Sequence, residues 1–192
     1  MKASLNAACP PGNCWRYFAM DNGFLLPAVL FLLCLTIRSV YELLKEARII
    51  NPESKSIFAF IFTSMCVLWV SWFSLCPMDP FRVDFPDSVR WIGLVIFIIG
   101  TVLAVGALIQ LRGVENIDHL VTTGLFRKFR HPMYIGFISW ILGWSIYHSA
   151  IVSLAIGLIG IASVLWWRHL EEARLEVQFG NIYQQYRLTT WF

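Results

Sequence analysis

The chain has 192 residues, of which 58% are hydrophobic and 14% are charged, and its formal net charge is +3. Soluble domains average about 45–50% apolar and about 25% charged residues, so this composition predicts an integral membrane protein. The length excludes a separate soluble domain of ordinary size, and we expect one membrane domain over residues 1–192. The basic residues sit at the edges of apolar segments rather than along one face, which argues against a nucleic-acid partner.

Apolar segments long enough to cross a membrane recur along the chain. A span of the hydrocarbon core takes about 20 residues, within a range of roughly 17–25. The first 111 residues contain three such segments: Phe24–Leu44, Ile57–Cys76 and Trp91–Leu111. The next apolar stretch, Pro132–Trp167, is too long for one helix and breaks best at the polar residues of Tyr147–Ala150. The sequence therefore predicts an all-α bundle of five transmembrane helices, the last two forming a helical hairpin.

Lysine and arginine are concentrated on one side of this predicted bundle, in the loops 42–57 and 112–131 and in the C-terminal tail. The other side has only four: Lys2, Arg16, Arg82 and Arg90. Because cytoplasmic loops are enriched in these residues, we expect the N-terminus outside and the C-terminus in the cytoplasm. Arg38 lies near the end of the first span, and we expect its long side chain to reach past lipid to the cytoplasmic interface.

Glycines recur at helical spacing in the predicted third and fourth helices. Gly93 and Gly100 stand seven residues apart and share a helix face, as do Gly136 and Gly143. In lipid, small residues let helices approach closely, so we expect these four glycines to mark helix packing.

Several familiar sites are absent from the sequence. No HExxH or CxxC motif is present, so no metal site is expected. The nucleotide-binding loops GxGxxG and GxxxxGK[ST] are also missing, as is the GxSxG elbow of serine hydrolases. Five cysteines are present. Two of them, Cys9 and Cys14, can form a disulfide if the N-terminal segment faces an oxidising compartment, which the sequence leaves open.

Residues capable of chemistry gather at the predicted cytoplasmic ends of the hairpin. Pro132 suits the first turn of a helix, whose free N–H groups and positive dipole end, with Arg130, favour an anion such as a carboxylate or phosphate. Tyr134 follows in the first turn, and His131 falls near the cap, where capping and ligand binding are equally open roles. At the other end of the hairpin, two adjacent carboxylates emerge, Glu171 and Glu172.

The two carboxylates have two interpretations. They fit a solvated helix face, but a hairpin over Pro132–Trp167 also returns the chain to the membrane side that carries His131 and Tyr134. The return brings His, Tyr, Arg and Glu side chains to one interface. The tail beyond repeats apolar residues at helical spacing, with Gly180 as an interruption: Leu175, Phe179, Ile182, Tyr183 and Tyr186. This stripe is interpreted as packing, and it predicts a pair of cytoplasmic amphipathic helices that cover the site.

The segment Asp118–Tyr186 combines LVTTGLFRKFRHPMYIG, an apolar hairpin and EEARLEVQFGNIYQQY. This combination resembles the superfamily of isoprenylcysteine carboxyl methyltransferases and phospholipid methyltransferases. The resemblance implies a methyltransferase embedded in the membrane, with its cofactor S-adenosylmethionine held at the cytoplasmic edge. Residues 1–111 then form three N-terminal helices, and 112–192 supply the cofactor loop, the hairpin and the tail.

The resemblance also implies the cofactor-binding positions. By motif, these are Leu120, Val121, Phe126, His131, Pro132, Met133, Tyr134 and Glu171. Two further candidates are Arg130, from the anion argument above, and His119. The latter adjoins Asp118, which stands where prenylcysteine-type relatives often have histidine. Aromatic faces such as Tyr134 or Phe126 can hold the sulfonium cation, at roughly 0.5–2 kcal/mol. Glu171 can bind the ammonium group or the ribose hydroxyls.

Arg168 and Tyr134 are the candidate catalytic residues. Relatives of the prenylcysteine type have an arginine four residues before the first glutamate, associated with the substrate carboxylate. Here that position is Trp167, and Arg168 is one step away. Methyl transfer is an in-line displacement, so positioning and water exclusion supply most of the acceleration. The acceptor stays open: a carboxylate on an apolar molecule, a lipid amine or a thiol.

Two other functions remain open on the sequence. A small transporter predicts charged or polar residues deep in the spans, which offer only Gln110 and Arg38, both near their ends. A non-catalytic membrane scaffold of the same fold is the other alternative. For the enzyme, the expected partners are an apolar or lipid-like substrate and membrane lipids, and the oligomeric state is open.

Overall fold

A computed structural model describes residues 22–50, 54–111 and 120–192. Within these ranges the chain is helical and forms no β-strand, which confirms the all-α class. The helices are α1 (Asn22–Glu46), α2 (Lys55–Leu75), α3 (Asp87–Leu111), α4 (Pro132–His148), α5 (Ile151–Phe179) and α6 (Asn181–Thr189). The cysteines Cys9 and Cys14 and the candidate His119 lie outside the described residues, so the expectations about them stay predictions.

Four of these helices, α1, α2, α3 and α5, are long and apolar enough to cross a membrane. The fourth helix in chain order, α4, has 17 residues, which is the lower limit for a span. The chain turns from α4 into α5 at Ser149 and Ala150, inside the polar segment where the sequence predicts a break. Ser149 adopts a left-handed conformation, with φ of 56°, and its N–H donates to the Ile146 carbonyl at 3.0 Å.

The fifth helix is longer than the sequence analysis expects. That analysis ends it at Trp167, where the apolar run stops, but α5 continues to Phe179. The reason is local, because the segment RHLEEARLEVQF is rich in strong helix formers and the first helix breaker is Gly180. Glu171 and Glu172 therefore lie on a regular helix that projects beyond the apolar part of the bundle.

Close backbone contact joins α3 to α4 at the predicted glycines. A Cβ atom on Gly136 would lie 2.6 Å from the Gly100 carbonyl oxygen, and one on Gly143 would lie 2.6 Å from that of Gly93. Real Cβ contacts are not this short, so only glycine fits at these crossings. The predicted packing role of these four glycines is confirmed, and the packing fixes the position of α4, which carries the start of the candidate site.

Substituting Gly136 with alanine is expected to lower the free energy of unfolding by about 1–3 kcal/mol, because over-packing against a rigid neighbour forces the helices apart. The new methyl group would meet the Gly100 carbonyl at 2.6 Å and the Ala104 backbone nitrogen at 2.8 Å. Denaturant unfolding in detergent micelles measures the loss. Gly106→Ala is the matched control, since its Cβ would meet only the flexible tip of Leu125 at 2.9 Å. Equal stability of the two variants would contradict the rigid-crossing explanation.

A buried aromatic core holds α1, α2, α4 and α5 together. Phe31 and Trp72 are both fully buried, and their ring centroids are 5.0 Å apart. At the end of the bundle where α5 begins, buried Asp79 accepts hydrogen bonds from the backbone N–H and the hydroxyl of Ser153, both at 2.6 Å. These contacts anchor the start of α5, so that its far end is presented at a defined place.

Candidate active site

The start of α4 and the projecting part of α5 meet at one end of the bundle. His131 is 5% exposed, and its imidazole lies between two carboxylates. Its Nδ1 is 3.8 Å from Oε2 of Glu171, and its Nε2 is 3.3 Å from Oε1 of Glu172. The two residues that the sequence analysis assigns to one cofactor are thus close enough to contact a single small molecule.

His131 stands at the cap position of α4, but its side chain makes no capping hydrogen bond. Only its backbone carbonyl takes part in the helix, accepting from the N–H groups of Tyr134 and Ile135, both at 3.1 Å. Of the two roles left open by the sequence, the structure does not show capping, and ligand binding by the imidazole stays a prediction.

Glu172 is the centre of a charged cluster. Besides His131, its Oε1 lies 3.4 Å from Nε of Arg130 and 3.6 Å from Nε of Arg168. The Arg168 guanidinium also stands over the Phe192 ring, 4.5 Å from its centroid. The side chain of Glu172 is 12% exposed, whereas that of Glu171 is 28% exposed. The two neighbouring acids therefore differ: Glu172 joins several elements through ion pairs, whereas Glu171 is more exposed and has fewer ionic contacts.

A small cavity lies beside this cluster, and charged and polar side chains form part of its lining, so it is called the polar cavity below. Six of the predicted cofactor residues line it: Leu120, Val121, Phe126, Arg130, His131 and Glu171. Its wall also includes Tyr183 and Tyr186 of α6, which the sequence analysis interprets as part of a packing stripe. No signal in the sequence separates a tyrosine that packs from one that faces a cavity, because both follow the same helical spacing.

The two tyrosines differ in their hydrogen bonding. The Tyr186 hydroxyl donates to the Phe126 carbonyl at 2.6 Å, whereas the buried Tyr183 hydroxyl has no partner. Burial and the negative charge of Glu172 raise the pKa of Tyr183 to about 12, and burial raises the pKa of Tyr186 to about 12, so both hydroxyls keep their protons at neutral pH. Nε2 of His131 is also buried, but it faces Oε1 of Glu172 at 3.3 Å. Buried polar groups are normally satisfied, so the Tyr183 hydroxyl suits a polar ligand.

A second cavity, apolar in character, opens among α2, α3 and α4. Its volume is about 220 Å³. Aromatic side chains form much of its wall: Phe58, Phe62, Trp69, Phe137 and Trp140. Such a wall suits an apolar ligand with few polar groups.

Tyr134 stands between the two cavities. Its ring lines the apolar cavity, together with the neighbouring Met133, and stacks on His131, which lines the polar one. The ring centroids of Tyr134 and His131 are 5.6 Å apart. The Glu171 carboxylate lies near the Tyr134 hydroxyl. Met133 and Tyr134 thus face the apolar side of the site, and Arg168 lines neither cavity.

The expectation that Arg38 reaches past lipid to the interface is wrong. Its side chain is 13% exposed and forms an ion pair with Glu42 one turn later. The guanidinium stands over the rings of Tyr41 and Trp167, at 5.1 and 5.6 Å from their centroids, and lines the apolar cavity. The cause is a buried carboxylate, since Glu42 is 1% exposed and also binds Nη2 of Arg174 at 2.7 Å. An ion pair inside the bundle replaces the contact with the interface.

Comparison with known proteins gives one family. The sequence profile of the phospholipid methyltransferase family matches residues 89–182. A protein-S-isoprenylcysteine O-methyltransferase of Schizosaccharomyces pombe is 38% identical over 80 residues, which are 38% of this chain and 32% of the relative. One of Dictyostelium discoideum is 25% identical over 142 residues, which are 67% of this chain and 56% of the relative. The chain thus spans about a third of the length of the first relative and about half of the length of the second. No solved structure gives a significant match.

Proposed function

We propose that the chain belongs to the superfamily of isoprenylcysteine carboxyl methyltransferases and phospholipid methyltransferases, to which its matches are similar, and that it is an integral membrane methyltransferase. It uses S-adenosylmethionine and acts on a small apolar or lipid-like acceptor at the cytoplasmic face. The observation that carries this proposal is the pair of cavities, one polar and one apolar, that meet at Tyr134. A reaction between a water-soluble cofactor and a lipid-like acceptor requires two such compartments side by side.

The polar cavity suits the cofactor. Glu171 can bind the ammonium group or the ribose hydroxyls, and the His131 imidazole, which lines the same cavity, offers a further polar contact. Leu120, Val121 and Phe126 supply apolar and aromatic walls for the adenosine. Pro132 and Met133 begin α4, whose positive dipole end favours the cofactor carboxylate. The bound cofactor would supply the methyl group that is transferred.

The apolar cavity suits the acceptor. Its aromatic wall matches an alkyl or prenyl chain, and Tyr134 lies where the reacting end would meet the methyl donor. The Tyr134 ring can also attract the sulfonium cation through its π face, at roughly 0.5–2 kcal/mol. In an in-line displacement these residues accelerate the reaction by holding both partners in register and by excluding water. Arg168 then acts as a positioning residue through Glu172, since it lines neither cavity.

The topology of the proposal makes α4 a fifth span and α6 a cytoplasmic amphipathic helix. With 17 residues, α4 can cross the hydrocarbon core. An odd number of spans then puts the N-terminus outside and the site inside. The exposed Arg127 and Lys128 beside the start of α4 agree with this orientation, because basic residues favour the cytoplasmic face.

Calorimetric titration of the purified protein in detergent with S-adenosylmethionine tests the proposal. The wild-type protein is expected to bind, and His131→Ala and Glu171→Ala are each expected to weaken binding at least tenfold, because each removes a polar contact in the cavity. Matched controls lie at the opposite end of the bundle, where His148→Ala and Asp84→Ala should bind normally. The methyl acceptor is then sought by transfer of a labelled methyl group into a lipid extract. A wild-type protein that neither binds the cofactor nor transfers the label would leave the scaffold interpretation standing.

A further inference from the structure

Tyr183 combines three features that packing does not require. Its side chain is 1% exposed, its hydroxyl has no hydrogen-bond partner, and it lines the polar cavity with His131 and Glu171. A tyrosine that only packs against the bundle gains nothing from burying an unsatisfied hydroxyl, because the hydroxyl loses its hydrogen bonds to water. The raised pKa keeps the proton on the oxygen, so the hydroxyl is available as a donor to a ligand.

The polar cavity is too small for the cofactor in this conformation. Its volume is only about 30 Å³. A cofactor that contains a nucleoside and an amino acid is many times larger. A wall that moves outward would make room for it.

The C-terminal segment 180–192 is a wall of the cavity that is held by little apolar packing. Tyr183 is the one buried residue of α6, while Ile182 and Leu188 are 65% and 88% exposed. Elements with few buried apolar contacts open at the lowest free-energy cost. The segment also begins at Gly180, whose φ of 50° and ψ of −126° strongly favour glycine. A hinge at this point lets α6 swing without breaking α5.

Polar contacts hold the same segment against the loop that precedes α4. Arg130 is central to them, because its Nη1 donates to the carbonyls of Arg187 and Thr190, both at 3.0 Å. Its backbone N–H donates to the Trp191 carbonyl at 3.1 Å, and the Trp191 N–H donates to the Lys128 carbonyl at 2.8 Å. Since Arg130 also contacts Glu172 at 3.4 Å, one side chain links α5, the loop and the end of α6.

We infer that Tyr183 is a cofactor-binding residue and that the C-terminal segment 180–192 is a lid that brings its hydroxyl into the site, with Arg130 holding the lid shut. This inference rests on the proposed function, because the ligand is the methyl donor proposed there. It adds a polar contact from a helix that the sequence analysis assigns to covering the site alone. It also makes opening of the C-terminal segment a required step in cofactor exchange.

The first test is Tyr183→Phe, which removes the hydroxyl and keeps the ring. The melting temperature without cofactor is expected to be unchanged or higher, because the variant removes an unsatisfied buried group. The dissociation constant for S-adenosylmethionine is expected to rise about tenfold. Tyr147→Phe makes the same chemical change at the opposite end of α4 and should bind normally. Wild-type affinity in the Tyr183→Phe variant would overturn the inference, whereas failure of the wild-type protein to bind would overturn the proposed function.

The second test locks the lid. Phe129 and Trp191 are paired across an isolated β-bridge, which brings their backbones close enough for a disulfide. The double variant Phe129→Cys and Trp191→Cys is oxidised, and the cross-linked fraction is quantified by mass spectrometry. That fraction is expected to lose cofactor binding and to regain it on reduction. The single-cysteine variants, treated with the same oxidant, control for the native cysteines. Equal binding by the cross-linked and reduced forms would show that the segment does not need to open.

Discussion

Replacing Glu172 with alanine is expected to abolish methyl transfer and to lower the free energy of unfolding by about 3–5 kcal/mol, the usual cost of removing one partner from a buried ionic group. Its Oε1 faces His131 at 3.3 Å, Arg130 at 3.4 Å and Arg168 at 3.6 Å. Without this carboxylate, two largely buried guanidinium groups lose their shared counter-ion. The side chains of Arg130 and His131 would both lose their contact with Glu172, so the residues of the candidate site would no longer be held in position.

Glu171→Ala is the matched comparison for Glu172→Ala, because it removes the same side chain at the adjacent position. The Glu171 side chain is more exposed, at 28%, and its ion contact is a single one, to His131 at 3.8 Å. We therefore expect Glu171→Ala to lose cofactor affinity with a stability change below about 1 kcal/mol. Chemical unfolding and cofactor titration on both variants separate the two roles. Equal stability losses would contradict the distinction between an anchoring and a ligand-facing glutamate.

Replacing Glu42 with alanine is expected to destabilise the protein by about 3–5 kcal/mol, again because an ion pair inside the bundle would lose one partner. Glu42 is 1% exposed, pairs with Arg38 and accepts from Arg174 at 2.7 Å. The contact to Arg174 joins α1 to the projecting part of α5, three residues beyond Glu171. Weaker cofactor binding should accompany the loss of stability, since that part of α5 would lose its tie to α1.

Glu46→Ala controls for Glu42→Ala on the same helix, one turn further along. Its side chain is 47% exposed and lies 4.0 Å from Arg174, a surface pair worth about 0–1 kcal/mol. A double-mutant cycle of Glu42→Ala and Arg174→Ala should show coupling, because the two residues share one contact. If Glu42→Ala cost no more than Glu46→Ala, the buried ion pair would not be what joins the two helices.

Features that depend on nearby residues could be predicted from the sequence. The helices α1, α2 and α3 follow from unbroken apolar runs, and α4 begins at Pro132, which suits the first turn. The glycine spacing predicts that these residues mark helix packing, because a seven-residue interval keeps both glycines of a helix on one face, but it does not predict that α3 packs against α4. The break between α4 and α5 falls in the predicted polar segment because polar residues end an apolar run locally.

Features that depend on distant partners could not be predicted in this way. Arg38 was assigned to the interface because nothing in the sequence links Glu42 to Arg174, which lies 132 positions away and comes close only in the folded bundle. The same limit applies to Glu172, whose partner Arg130 lies 42 residues earlier. The length of α5 was missed for a different reason. An apolar run marks where a helix can leave the membrane, but the helix itself ends where a residue such as Gly180 breaks it.

The apolar cavity is lined by residues from both halves of the chain, but the family profile matches only the second half. The family profile begins at residue 89, yet α1 and α2 supply nearly half of the cavity lining, including Arg38, Phe62 and Trp69. The polar cavity, by contrast, is formed by residues from Leu111 onward. Under the proposed function, substitutions in the first two helices would therefore change which acceptor fits and leave the cofactor side intact. The range of acceptors and the use of the cofactor would then vary independently of each other.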